Sequence, residues 1–347
     1  MTPSRSLLFL CHRIPFPPDK GEKIRAFRIL EHLRQNYRVT MGCFIDDAAD
    51  KSHIGALEAY CHELRCVDLP RETAKLRALK GLLTGSPLTV ASFANAAMGR
   101  WVSDVLARQK FDAVFVYSSA MAQYVLDRDL GGAPVVMDFV DVDSDKWRQY
   151  ATEIKGPMRW VYSREAKKLL TFDRKVAARA DASIFVSDAE AALWRTLAPE
   201  TAGRTHGVAN GIDCRYFSPR HVWTNPFAGP GPHFVFTGTM DYWPNVDAVK
   251  WFAKKVFPKL RAARPDATFT IVGSKPTKEV IALQSQDGIQ VTGRVPDVRP
   301  YLAHGHVAVA PMRIARGIQN KILEAMAMAK PVVTTDQGLE GIEAVSY

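Results

Sequence analysis

The stretch ARGIQNKILEAMAMAKPVV, Ala315 to Val333, gathers two cations and one carboxylate around a short turn. Arg316 and Lys321 bracket Gly317-Ile318-Gln319-Asn320, and Glu324 stands three residues beyond Lys321. Ile318, Ile322, Leu323, Ala325, Met326 and Ala329 recur at helical spacing, which predicts a helix over 318–329 with one face buried. Lys321 and Glu324 share a different face of it. A loop entering such a helix presents unpaired N–H groups with partial positive charge, and beside two cations it suits a diphosphate. A carboxylate one turn in is badly placed for phosphate but well placed to accept hydrogen bonds from a ribose diol. A surface Lys–Glu pair on an ordinary helix fits the same pattern, and the residues alone leave both readings standing.

Other constellations invite the same weighing. Gly21 opens a helix after Pro17-Pro18-Asp19-Lys20, and a residue without Cβ lets backbone approach a phosphate closely. Lys20, Lys23 and Arg25 add positive charge; a plain helix-starting turn is the competing account. His12 ends the first strand, where a ligand-facing side chain belongs, although a hydrogen-bonded structural histidine fits as well. Asp138, Asp141, Asp143 and Asp145 form a run with D-x-D spacings, a device that holds Mn2+ or Mg2+ on a diphosphate. Asp138 or Asp141 orienting an acceptor hydroxyl is the alternative, and so is helix capping by Asp143 or Ser144. Cys61-His62-x3-Cys66 is the nearest thing to a metal spacing, but it falls at a helix-to-strand junction where packing accounts for it.

These residues need a scaffold, and the apolar pattern supplies one. Short apolar runs alternate with amphipathic helices through most of the chain, and runs such as AVFVY and VVMDFV suit strands buried on both faces. Strands are predicted at 6–11, 38–45, 64–69, 113–117, 135–140 and 182–187, then again at 233–238, 267–273, 288–292, 307–311 and 331–335. The second series brings one long helix over 244–264. Between the two series, 215–232 is rich in proline and glycine and poor in periodicity, as in a linker. The expected organisation is therefore two doubly wound α/β domains, 1–214 and 233–347, with ligands beyond the carboxyl ends of the strands and a cleft between the domains as the natural site. The second domain, stopping at Tyr347, is expected to lack its closing helices.

Composition narrows the partners. The chain has 347 residues, 47% of them hydrophobic and 24% charged, which suits a globular protein of two domains. No segment approaches a membrane span, and five cysteines without a CxxC pair fit a reducing compartment, so a cytoplasmic setting is expected. A net charge of +10 calls for an anionic partner. Nucleic acid is set aside, since no RNA- or DNA-binding signature accompanies the charge. The segment 71–83 alternates cations with leucines, as a helix resting on an anionic bilayer would, or as a solvated domain face. The cationic segment 163–179 is expected to line the cleft or its back.

LEAMAMAKPVVTT resembles the signature of the retaining glycosyltransferases of group 1 (family 4). VANGIDCRYFSP resembles their interdomain segment, FTGTMDYWPNVDAVKWF the opening of their second domain, and VTGRVPDVRPYLAHGHVAVAP the segment around the nucleobase. HRIPFPPDKGEKIRAFRILEHL resembles their first loop and helix. The finer pattern of PFPPDKGEKIR, VMDFVDVDSDKW and RIARGIQNKILEAMAMA is similar to sugar transferases associated with exosortase and PEP-CTERM systems, which are encoded with exopolysaccharide genes. The resemblance implies the two-domain GT-B fold, a nucleoside diphosphate sugar as donor, and a lipid-linked or oligosaccharide acceptor met at the inner membrane face. It implies no cofactor and no metal. On the donor side it implies Gly238, Thr239, Lys275, Arg294, Val295, Arg313, Gly317, Ile318, Gln319, Asn320, Lys321 and Glu324, with Glu324 on the ribose. On the acceptor side it implies His12, Gly21, Arg25, Asp138 and Asp141, and the catalytic set is Asp141, Lys321 and Arg316. Two departures stand out. Arg316 occupies the position, eight before Glu324, where many members carry a second glutamate, and the loop from Gly238 to Asn245 lacks the usual Arg/Lys pair. Arg316, Arg313 or Lys275 would then supply the missing charge. A metal-dependent D-x-D transferase and a non-catalytic nucleotide-sugar binder remain the other readings.

Overall fold

The computed structural model describes residues 5–18, 21–315 and 318–342. The chain divides into two compact units, Met1–Val208 and Ala209–Tyr347. In the first, seven parallel strands are arranged in the order β3-β2-β1-β4-β5-β6-β7. They are β1 (Arg5–Cys11), β2 (Tyr37–Ile45), β3 (Glu63–Asp68), β4 (Ala113–Tyr117), β5 (Val135–Val140), β6 (Ala182–Phe185) and β7 (Thr205–Gly207). Every crossover is helical or irregular chain, as parallel neighbours require. The central strands are buried on both faces: Leu7, Leu8, Phe9, Leu10 and Cys11 are all in the core. On one face Trp194 and Phe185 stack with Phe139, at centroid distances of 5.3 Å each.

The second unit holds five parallel strands in the order β10-β9-β8-β11-β12. These are β8 (His233–Thr237), β9 (Thr268–Val272), β10 (Ile289–Gly293), β11 (Val307–Ala310) and β12 (Val332–Thr334). Gly273, just past β9, can only be glycine, because a Cβ there would collide with the Gly238 carbonyl oxygen. That close approach lets the Gly238 N–H donate to the Val272 carbonyl at 3.0 Å and the Met240 N–H to Ser274 at 2.8 Å.

Three expectations differ from the structure. The predicted helix over 244–264 is two helices, Trp243–Trp251 and Phe257–Ala263, separated by a wider turn at Phe252–Val256. Pro258 explains the break, since it has no N–H to return to the preceding turn, and the Phe257 N–H bonds five residues back to Phe252. The stretch 215–232 is not a free linker. Its aromatic residues Phe217, Trp223 and Phe227 pack on Val235 and Leu302, and the Arg299 guanidinium lies 3.6 Å from the Tyr216 ring centroid and 4.4 Å from that of Trp223. The division between units accordingly falls at Val208, six residues before the expected end of the first domain. Among the described residues no helix is long and apolar enough to cross a membrane.

Candidate functional site

In a doubly wound sheet the strand order reverses at one place, and the loops leaving the two strands there diverge to leave a crevice. In the second unit that place lies between β8 and β11. The loop after β8 carries Gly238 and Thr239 and enters the helix Trp243–Trp251, whose first turn holds Asn245; the loop after β11 leads into the helix Asn320–Ala327. Lys321 joins the two. Its ammonium donates to the Asn245 side-chain oxygen at 2.8 Å, lies 3.8 Å from the Met312 sulfur and sits 4.8 Å from the Phe236 ring centroid. Asn245 is itself buried, and its NH2 donates to the Thr239 carbonyl at 2.9 Å, which orients the oxygen toward Lys321. Burial pushes the Lys321 ammonium down to about 8, against the pull of the Glu324 carboxylate. Burial likewise pushes Glu324 up to about 7, with Lys321 opposing it. A half-buried cation with a neutral hydrogen-bond partner is a charge in waiting, because an arriving anion would relieve its desolvation.

The helix itself is shorter than the predicted 318–329. Gln319 precedes it and makes no side-chain capping hydrogen bond, while its carbonyl accepts from the Ile322 N–H at 2.9 Å. The Asn320 side-chain oxygen accepts from Asn210 at 3.5 Å, tying the Val208–Pro219 motif to this turn. Ile318 and Gln319 stand in the loop before it, while Arg316 and Gly317 lie outside the described residues. The other cations expected here are engaged elsewhere. Arg313 grips Asp247 through two hydrogen bonds of 3.0 and 2.5 Å, and the ammonium of Lys275 lies 3.9 Å from Asp241. Arg294 is exposed beyond β10, and Val295 packs beside Leu302 and Tyr301. Asn245 escaped the sequence reading; its place directly behind the helix-starting Trp243-Pro244 was the available signal.

In the first unit the switch falls between β1 and β4. His12 follows β1, stacked on Tyr117 at 5.7 Å and edge-on to Phe93 at 5.6 Å, with its Nε2 3.6 Å from a Glu22 oxygen. Burial works to raise the Glu22 carboxyl, but the hydrogen bonds and charges of His12 and Arg13 prevail and hold it well below the usual carboxylate range. Gly21 begins its helix, as expected, but the cations beyond it turn inward. Lys23 donates to Asp50 at 2.9 Å; Lys20 lies outside the described residues.

Arg25 and Asp138 were expected to face an acceptor, and instead they face each other. The Arg25 Nε donates to Asp138 at 2.9 Å and one Nη at 3.3 Å, while the other Nη donates to the Val208 carbonyl at 2.7 Å. Both residues are buried, which works against a direct role with a ligand. Asp141 and Asp143 share Lys146, at 2.7 and 3.1 Å, and the Asp145 carboxylate is taken by Arg148 and Gln149. The D-x-D carboxylates therefore already have a cation between them, which leaves the metal-dependent alternative short of free ligands. Neither Asp143 nor Ser144 caps the helix Asp143–Glu153. The basic segment 163–179 spends much of its charge on structure as well, though Lys167 and Lys168 are exposed. Arg164 donates to the Gly81 and Ser86 carbonyls, Arg174 pairs with Glu200, and Lys175 and Arg179 with Asp127. A cavity of about 310 Å³ lined by Val125, Val135, Met137 and Val176 lies at the amino end of β5, away from the carboxyl edge.

Two parallel sheets, each with its polar residues gathered at a switch point, are the Rossmann-like pair of the GT-B glycosyltransferases. Solved structures with this fold include Anabaena Alr3699/HepE in complex with UDP-glucose, at 15% identity over 96% of this chain and 81% of that one, TM-score 0.60. WaaG, a glycosyltransferase involved in lipopolysaccharide biosynthesis, aligns at 15% identity over 95% and 81%, TM-score 0.63. A glycosyltransferase from Rickettsia africae aligns at 11% identity over 98% and 82%, TM-score 0.59. No curated protein matches the chain by sequence. Residues 20–211 match the family model described as glycosyl transferase 4-like domain, more than half of the chain, and residues 231–346 match glycosyl transferases group 1. The chain belongs to this family and is a glycosyltransferase.

Proposed function

We propose that this glycosyltransferase moves a sugar from a nucleoside diphosphate sugar to an acceptor hydroxyl, with retention of configuration, using the switch point of its second unit as the donor site. The observation that carries the proposal is Lys321, held half-buried on Asn245 between the β8 and β11 loops with its charge unmatched by any carboxylate within 4 Å among the described residues. The diphosphate lies across Lys321 and the first-turn N–H groups of Asn320–Ala327, with Gly238 and Thr239 on its other side and Arg316 and Gly317 completing the loop. Glu324, one turn further on, accepts the ribose hydroxyls, and Arg294 and Val295 flank the base.

Departure of the diphosphate is the difficult step, because negative charge builds on its bridging oxygen. A fixed ammonium and oriented N–H groups stabilise that charge in place, an effect worth about 3–4 kcal/mol per donor in preorganised sites. Retention follows if the acceptor attacks on the leaving-group face and the departing oxygen takes its proton, so no protein nucleophile is required. His12, Gly21 and Asp141, at the carboxyl edge of the first unit, are assigned to the acceptor.

The acceptor class we infer is a lipid-linked oligosaccharide in exopolysaccharide synthesis, in keeping with the similarity to exosortase-associated sugar transferases. Leu76 and Leu79 on the helix Arg71–Thr84 and Met158 and Trp160 at the start of Pro157–Arg179 are exposed, as a peripheral contact with an anionic inner-membrane surface would need. Five free cysteines suit the reducing cytoplasm. The test is release of nucleoside diphosphate from nucleotide sugars by the purified protein. Turnover should persist in EDTA and fall at least about 100-fold in Lys321→Ala, the size expected for one preorganised donor. Full activity in Lys321→Ala, or abolition by EDTA, would overturn the assignment.

A further inference from the structure

Cys11, Cys43 and Cys66 stand in register across three neighbouring parallel strands: Cys11 opposite Cys43 on β1 and β2, and Cys43 opposite Cys66 on β2 and β3. The donor and acceptor chemistry uses none of them. The sulfurs of Cys43 and Cys66 are 3.6 Å apart. Cys43 is fully buried, whereas Cys66 is partly open, on a strand that pairs only with β2 and so forms the sheet edge. Registered neighbours on adjacent strands are separated by about 4.8 Å, inside the roughly 4.4–6.8 Å that a disulfide spans between Cα atoms. A small swing of the two side chains closes the gap without moving either strand out of register.

We propose that Cys43 and Cys66 form a reversible thiol-oxidation site, with hydroperoxides as the oxidant class, Cys66 the reacting thiol and Cys43 the resolving one. The order follows from placement. Cys66 is the more open residue, and the hydrogen bond it shares with Cys43 holds the Cys66 thiol below its usual range, while the same hydrogen bond and then burial push the Cys43 thiol up. In the first step the Cys66 thiolate attacks the terminal peroxide oxygen, the O–O bond breaks, and the departing hydroxide of hydrogen peroxide, or alkoxide of an organic hydroperoxide, takes a proton to become water or alcohol. The product is Cys66 sulfenic acid. In the second the Cys43 sulfur attacks the Cys66 sulfur, the S–O bond breaks, and the thiol proton leaves with the hydroxide as water. Two thiols are oxidised to one disulfide, and one hydroperoxide is reduced. Another nearby thiol, Cys61, sits against the Met41 sulfur at 3.9 Å.

Full-length protein would be exposed to hydrogen peroxide, its remaining thiols blocked with N-ethylmaleimide, and its peptides mapped by mass spectrometry. A linked Cys43–Cys66 peptide pair, reversed by dithiothreitol, is expected. In Cys43→Ser the Cys66 sulfenic acid should accumulate and be trapped by dimedone; in Cys66→Ser the Cys43 thiol should stay reduced. Cys214, which is exposed and far along the chain, serves as the internal control for peroxide exposure. Absence of the linked pair while Cys214 is oxidised would overturn the proposal, as would a pair that joins Cys66 to Cys61. The wild-type map decides this even if a serine variant fails to fold.

Discussion

Replacing Arg25 with alanine separates a structural from a ligand-binding role for the Arg25–Asp138 pair. The contact closes at 2.9 Å with both partners almost wholly buried, so the attraction at an effective dielectric of about 20 is about 6 kcal/mol. Desolvation of the pair offsets part of that attraction. Removing one partner, however, leaves the other charge buried and unmatched, and such truncations cost about 3–5 kcal/mol. The Val208 carbonyl loses its donor in the same step. In a unit of this size each kcal/mol moves the midpoint by about 2–4 °C, so Arg25→Ala should melt about 6–20 °C below wild type. The pH dependence has a definite sign. Burial already raises the Asp138 carboxyl, with Arg25 offsetting only part of the shift. A carboxyl whose folded pKa exceeds its unfolded value loses stability as pH rises from the unfolded value toward the folded one. Without Arg25 that rise is larger, so the deficit of the variant should be greater at pH 7.5 than at pH 5. Urea unfolding of wild type, Arg25→Ala and the double variant Arg25→Met/Asp138→Leu, at both pH values, gives the answer. The double variant should recover most of the loss, because it leaves no lone charge. An Arg25→Ala protein that melts within about 1 °C of wild type yet has a raised KM for acceptor would refute the reasoning and return the pair to the acceptor site.

Two further changes probe the second unit. If the ionised Glu324 binds the ribose and the protonated Lys321 the diphosphate, kcat/KM for donor should rise as pH passes about 7 and fall as it passes about 8. Glu324→Gln should abolish the acid limb and keep the alkaline one, and an unchanged acid limb would exclude Glu324 as its source. Gly273→Ala places a methyl group against the Gly238 carbonyl, so the second unit should lose more than about 3 kcal/mol of stability or fail to fold, as judged by its unfolding midpoint. A variant as stable as wild type would show that the β8 and β9 loops do not need this approach.

The parts of the molecule legible in the sequence are those set by local pattern. Runs such as AVFVY and HFVFT became central strands because continuous apolar side chains need burial on both faces, and NKILEAMA became a helix because its stripe recurs at helical spacing. Long-range pairing left no such trace. Arg25 and Asp138 are separated by 113 positions, and nothing nearby marks either as the partner of the other. Asn245 acquires its importance from the loop it faces, 76 residues away. The proline-rich 215–232 read as a linker because its apolar residues have no period. Phe217, Trp223 and Phe227 nonetheless pack singly around Leu302 and Tyr301, and Arg299 lies over the rings of Tyr216 and Trp223. The D-x-D run stayed open between metal, acceptor and capping roles for a related reason, since local spacing does not reveal that Lys146 lies between its carboxylates.

The donor site is the central claim, and thermal shift with UDP-, GDP-, ADP- and TDP-sugars tests it most directly. A ligand at about 100 times its Kd adds about 2.7 kcal/mol to the folded state. At least one of these nucleotide sugars should therefore raise the wild-type Tm by several degrees and leave Lys321→Ala unmoved. If none of the four shifts wild type, or if Lys321→Ala responds as strongly, the donor does not lie at Lys321 and Glu324.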